Sequence, residues 1–65
     1  MARYVIQEYN QEMTMLTKER ECVFDCDGEA VTFAHEYAEG ADGIVILWRR
    51  NSMDKTRLMK IAKFY

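Results

Sequence analysis

With 65 residues, 49% of them hydrophobic and 31% charged, the chain has the length and composition of one small folded domain. Its longest apolar run, residues 44–48, is far shorter than the roughly 18 residues that a membrane span requires. The N-terminus carries no recognisable secretory signal, and a net charge of −2 weakens any general attraction to nucleic acid. We therefore expect a cytoplasmic protein in which both cysteines are reduced thiols.

The first strand is predicted over residues 3–9, where apolar side chains alternate between two faces. Tyr4 and Ile6 lie on one face of this strand, and Val5 and Tyr9 lie on the other. Such alternation is typical of a strand that contributes to the core of a sheet.

A second strand is expected within residues 13–24, after a turn at residues 10–11. The following side chains of this segment share one parity: Thr14, Leu16, Cys22 and Phe24. Residues 17–21 are entirely polar, so we expect an exposed ribbon that is twisted or bulged there.

A helix is predicted next, and either Asp25 or Asp27 could cap its first turn with a carboxylate. The apolar residues of this segment recur at the spacing of one helical face: Ala30, Phe33, Ala34, Tyr37 and Ala38. Gly40 is expected to end the helix in the left-handed conformation.

The last two elements follow residue 42. Residues 43–50 predict an inner strand, because apolar side chains occupy both faces, Ile44, Ile46 and Trp48 on one and Val45 and Leu47 on the other. After a turn at residues 51–54, residues 55–65 fit either a strand or a helix capped by Ser52. We favour the strand, because it would pair with the preceding strand as a hairpin.

This order of elements predicts one α+β domain over residues 1–65: a four-stranded antiparallel sheet with one helix packed on one face, β-β-α-β-β. The alternative is β-β-α-β-α. In a monomer the second sheet face would lie open, so that some of its apolar side chains would be exposed and would mark an interface or a structural homodimer. The candidates are Tyr4, Val5, Tyr9, Met13, Met15, Leu47, Leu58 and Phe64.

The segment ECVFDCDG, residues 21–28, contains both cysteines. Four extended residues would separate the Cα atoms of Cys22 and Cys26 by roughly 13 Å, which exceeds the distance that a disulfide can bridge. The spacing is also not the Cys-x-x-Cys of thiol oxidoreductases. We interpret both as structural thiols in the core, with some reactivity at Cys26 because it would lie at a helix N-terminus.

Other kinds of chemistry lack the residues that they need. His35 is the only histidine, so a zinc site would have few ligands. Aligning DCDG with a calcium loop places Val23 and Ala34 at the first and last ligand positions. The chain has one serine, Ser52, and no glycine-rich phosphate loop. We therefore expect no enzymatic activity, no metal, no cofactor and no small-molecule substrate.

Charge is divided along the chain: residues 1–48 carry a net charge of −7 and residues 49–65 a net charge of +5. The acidic helix residues are either solvated or dock on a basic groove of a protein partner: Glu29, Glu36, Glu39 and Asp42. The basic residues pair across the sheet with the acidic first two strands, or contact nucleic acid: Arg49, Arg50, Lys55, Arg57 and Lys60.

A non-enzymatic protein-binding module is the function that these patterns favour. A small nucleic-acid-binding module is the second hypothesis, and a structural homodimer is the third. In its size, acidity and layout the chain is similar to small phage and mobile-element proteins, including anti-CRISPR-type inhibitors. That resemblance implies an inhibitor that docks on a host protein through charged and open-sheet surfaces.

Overall fold

The alternating segments form four strands in the computed structural model, which describes residues 1–65. The elements in chain order are β1 (Ala2–Tyr9), β2 (Leu16–Phe24), α1 (Asp27–Glu39), β3 (Ile44–Arg50) and β4 (Leu58–Phe64). The strands form one antiparallel sheet in the order β2-β1-β3-β4. The predicted β-β-α-β-β arrangement is confirmed, and the last segment is a strand rather than a helix.

The core lies between α1 and one face of the sheet. It consists of six buried residues, none more than 1% exposed: Tyr4, Ile6, Ala30, Ala34, Val45 and Leu47. The pairs Tyr4/Ile6 and Val45/Leu47 share a face as the alternation predicts, and Ala30 and Ala34 are the fully buried part of the predicted helix stripe. The two small alanines allow the helix to pack against the sheet, chiefly on β3.

The second sheet face is less exposed than the sequence predicts. Val5 and Ile46 lie on it, yet they are only 1% and 5% exposed. No helix covers them, but large or long side chains lie directly opposite on neighbouring strands: Gln7, Glu21, Trp48 and Lys63. These side chains shield the apolar centre of the face from water.

This shielding corrects the list of interface candidates. Val5 is buried on the open face, and Tyr4 and Leu47 are buried beneath the helix, so none of the three can mark an interface. Met13 and Met15 are exposed, but both lie in the hairpin loop rather than on the sheet. Tyr9, Leu58 and Phe64 are half-buried.

A bulge changes the register of the first hairpin. Between Glu8 and Tyr9 the pairing shifts, so that Leu16 rather than Thr17 lies opposite Tyr9. The sequence parity predicted that Leu16 and Cys22 share a face. The register shift instead places them on opposite faces of the sheet. The polar segment of residues 17–21 is exposed beside this bulge, as expected.

Both ends of α1 differ from the sequence prediction. Cys26, rather than an aspartate, is the N-cap, and no side chain caps the first turn. The Asp27 carboxylate instead accepts hydrogen bonds from Tyr4 and Arg49. Gly40 has φ −95°, which is not left-handed, and its N–H donates to the Tyr37 carbonyl over 3.2 Å.

At 13 residues, α1 is neither long enough nor apolar enough to cross a membrane.

Candidate functional site

The outer side of α1 carries an acidic surface, which we define as Glu29, Glu36, Glu39 and Asp42; all four residues are exposed. At 3.6 residues per turn, the three glutamates fall within an arc of about 80° around the helix axis. Asp42 lies just beyond the end of the helix, where its carbonyl accepts a hydrogen bond from Gln11 over 3.0 Å. The structure therefore brings the three glutamates together, with Asp42 at the helix end.

No lysine or arginine neutralises this acidic surface. Residues 21–48 contain neither residue type. The one nearby nitrogen group is that of His35, whose Nδ1 lies 3.6 Å from Glu39 Oε1. The last turn of α1 also contains no basic residue, so Glu36 and Glu39 oppose the negative end of the helix dipole. Glutamates at this end lower the stability of the helix. A gain in stability therefore does not explain why Glu36 and Glu39 are acidic.

A shallow groove of about 510 Å³ runs beside the acidic surface. Its lining comes from the first half of α1 and from the residue before it: Cys26, Gly28, Glu29, Thr32, Phe33 and Glu36. The Phe33 ring packs against Phe24 with centroids 5.3 Å apart, and Arg20 lies 5.5 Å above it. The groove thus combines an apolar aromatic wall with two carboxylates, which suits the stem and charge of a long basic side chain.

Of the five basic residues predicted as a nucleic-acid contact, three line a common cleft, and Arg57 and Lys60 lie outside it. Arg49 Nη1 lies 3.1 Å from Asp27 Oδ1, Arg50 pairs with Glu21, and Arg57 pairs with Asp54 three residues before it. The two remaining candidates, Lys55 and Lys60, have no acidic partner. Arg49 and Arg50 project from opposite faces of β3, and both line one cleft only because they lie at the end of the strand. The expected pairing with the acidic strands therefore holds for Arg50, while Arg49 pairs with the helix start.

No family model matches the chain, and comparisons with curated proteins and with solved structures find no match.

A buried tyrosine ties the helix start to the sheet. The Tyr4 hydroxyl donates to Asp27 Oδ1 over 2.5 Å, and Arg49 Nη1 donates to the same oxygen. Burial, followed by the hydrogen bond to Asp27, raises the pKa of Tyr4 from 10.0 to about 12. One carboxylate oxygen therefore links β1, α1 and β3, and we interpret this cluster as structural.

The two cysteines are free and occupy different environments. Cys22 is half-buried on the helix side of β2, and burial raises the pKa of its thiol. Cys26 is exposed at the start of α1, which corrects the expectation of a core position. Only Cys26 combines exposure with a helix N-terminus.

Iodoacetamide is expected to alkylate Cys26 at least about tenfold faster than Cys22 near neutral pH, since the thiolate is the reactive species. Mass spectrometry of a time course on Cys22→Ser and Cys26→Ser would measure each thiol alone. Equal rates for the two variants would contradict the assignment.

No group of three or more histidine, cysteine, aspartate or glutamate side chains is placed to hold a metal ion. His35 lies at the edge of the helix beside β4, with its ring 5.6 Å from that of Phe64. Its imidazole is mostly exposed to solvent.

Sequence reasoning missed Arg3. Tyr4 pairs with Arg49, 45 positions later in the chain. This pairing places the neighbouring Arg3 beside the end of β3. Arg3 and three of the predicted basic residues line one cleft there: Arg49, Arg50 and Lys55. No local pattern indicates this convergence, because it depends on the strand order and register of the folded sheet.

Proposed function

We propose that the protein is a non-enzymatic binding module that docks through its acidic helix surface on a basic surface of a protein partner. The observation that supports this most strongly is the absence of any lysine or arginine partner for Glu29, Glu36 and Glu39. Unpaired charge on a rigid helix steers a complementary partner and fixes its orientation.

The partner surface is a basic groove, such as one that binds nucleic acid. Glu29 to Glu39 extend about 15 Å along the helix, which is long enough to span several basic side chains. The adjacent groove, lined by Glu29, Phe33 and Glu36, offers two carboxylates to the charged end of a lysine or arginine. Both features support docking of basic side chains along one side of α1.

The small size and acidic surface of the domain favour a role as an inhibitor of its protein partner. A small acidic domain that occupies a basic groove excludes the anionic ligand of that groove, as the resemblance to anti-CRISPR-type proteins implies. The proposal places the protein in the cytoplasm, which its two free thiols support. The structural homodimer stays a prediction, because contacts within one chain do not test it.

The proposal is tested with two variants that remove equal charge from different surfaces. Glu29→Gln with Glu36→Gln removes two of the four charges of the acidic helix surface. Glu12→Gln with Glu19→Gln removes the same charge from exposed positions in the β1–β2 loop and in β2. Glutamine preserves side-chain size, so the two variants differ in where the charge is lost.

Each variant would serve as bait for host proteins at physiological salt, and the retained proteins would be quantified by mass spectrometry. The docking proposal predicts a partner that wild type and the hairpin variant retain and that the helix variant loses by at least about tenfold. Equal retention by all three baits, or equal loss from both variants, would contradict docking through the helix.

A further inference from the structure

A cleft of about 260 Å³ lies at the end of the sheet where β1 begins and β3 ends. Six polar residues line it, four of them basic and two neutral: Arg3, Arg49, Arg50, Lys55, Asn51 and Ser52. No carboxylate contributes to the lining. The cleft is therefore a concave site with positive charge on several sides.

The loop between β3 and β4 is folded so that Lys55 lines this cleft. Asn51 Oδ1 accepts hydrogen bonds from the backbone N–H groups of Met53 and Asp54, over 2.7 and 2.9 Å. Arg50 Nη1 donates to the Lys55 carbonyl over 2.6 Å. These contacts hold the loop against β3, and they bring Lys55 to the arginines.

The charges of the cleft do not balance within the chain. Arg49 pairs with Asp27 and Arg50 pairs with Glu21, but Arg3 and Lys55 form no ion pair. Four positive charges against two negative ones leave a net local charge of +2. Like charges at this proximity repel each other, and no contact in the fold requires Arg3 or Lys55 to be basic. A bound anion of charge near −2 would remove the repulsion.

We propose that this cleft binds the terminal phosphate group of a phosphate monoester. Such a group carries a charge of about −1.5 to −2 at neutral pH and several strong acceptor oxygens. Arginine guanidinium groups match phosphate oxygens in fork geometry, and the Asn51 and Ser52 side chains add neutral donors. The cleft is smaller than a typical site that encloses a whole organic ligand, so it holds the phosphate while the remainder stays outside.

The phosphate can come from a small phosphorylated metabolite or from the 5′ end of a nucleic-acid strand. Both sources present the same group to the cleft, and they differ in the size and charge of the molecule attached to it. The site goes beyond the proposed function, because it uses none of the acidic helix residues and does not depend on a protein partner.

The test uses the whole chain and two probes: a fluorescent oligonucleotide with a 5′ phosphate, and ribose 5-phosphate as its competitor. The same oligonucleotide with a 5′ hydroxyl is the ligand control. Arg3→Gln with Lys55→Gln removes the two cations that form no ion pair, so the fold is retained. Lys18→Gln with Lys60→Gln is the matched protein control, because both lysines are exposed and lie outside the cleft.

Fluorescence anisotropy is expected to give at least about tenfold weaker binding for the 5′-hydroxyl strand and for the Arg3/Lys55 variant, with less than about threefold loss for the lysine control. If ribose 5-phosphate displaces the strand at a concentration close to the Kd of the strand, the site is one for small phosphate esters. If displacement requires a far higher concentration, the site is one for strand ends. Equal binding of both strands, equal loss in both variants, or no binding of either probe would overturn the proposal.

Discussion

Replacing Gly43 with alanine is expected to lower the free energy of unfolding by about 3 kcal/mol. A Cβ atom at this position would lie 1.8 Å from the Tyr9 carbonyl oxygen, and 3.0 Å from the carbonyl carbon. These are backbone atoms of β1, so no side-chain rotation can relieve the overlap. The sheet would have to separate where Tyr9 pairs with Ile44. A domain of this size has a total stability of only about 3–10 kcal/mol, so much of the population would unfold.

Two other glycines provide controls for Gly43. An added Cβ would find its nearest neighbour 3.8 Å away at Gly28 and 3.9 Å away at Gly40, which are ordinary contact distances. Alanine at Gly28, inside the helix, is expected to stabilise the protein by about 0.5–1 kcal/mol. Urea denaturation followed by circular dichroism would compare the three variants. Wild-type stability of Gly43→Ala would contradict the close approach of β1 to Gly43.

Asp27→Ala is expected to cost about 2 kcal/mol of folding stability, because it leaves the buried Tyr4 hydroxyl without an acceptor and Arg49 without its ion partner. Tyr4→Phe removes the donor as well as the need for an acceptor, so it should cost about 1 kcal/mol. In the double variant the two losses should be less than additive, since both remove the same hydrogen bond. Urea denaturation of the four proteins measures this coupling. Additive losses would contradict a direct Tyr4–Asp27 contact.

Burial of the Tyr4 hydroxyl, together with its hydrogen bond to Asp27, predicts a loss of stability at alkaline pH. The folded chain holds the Tyr4 proton with a pKa of about 12, against 10.0 for an ordinary tyrosine. As the pH rises, the unfolded chain loses this proton first. The stabilisation is therefore complete below about pH 10 and is lost between about pH 10 and pH 12. Tyr4→Phe should show a smaller decline in Tm over this range than wild type, and equal declines would contradict the assignment.

The helix stripe and the alternating strands could be predicted from sequence, because burial of one face imposes a period on the residues themselves. The features that could not be predicted depend on contacts between distant segments. Asp27 resembles a capping residue locally, but its carboxylate is placed beside Tyr4 and Arg49 by the fold. Gly40 resembles a helix-terminating glycine in sequence, but it has room for a side chain. Gly43 is the position that must be glycine, because the backbone of Tyr9 lies against it.

The same distinction applies to the candidate surfaces. The acidic glutamates of α1 were predictable, since helical spacing alone places them on one side. The partners of Arg49 and Arg50 were not, because they depend on which strand lies next to β3. A twist or bulge was predicted at residues 17–21 but not the register shift between Glu8 and Tyr9, and the register that brings Arg3 to the basic cleft depends on the whole sheet.

Glu36→Lys separates binding from folding more directly than any other substitution. A lysine in the last turn of α1 interacts favourably with the helix dipole, so this variant should be about 0.5 kcal/mol more stable than wild type. Its affinity for the partner isolated with the wild-type bait should fall at least about tenfold, because the charge in the interface is reversed. A titration of that partner with both proteins is the decisive measurement. Unchanged or stronger binding by Glu36→Lys would contradict docking through the acidic helix surface.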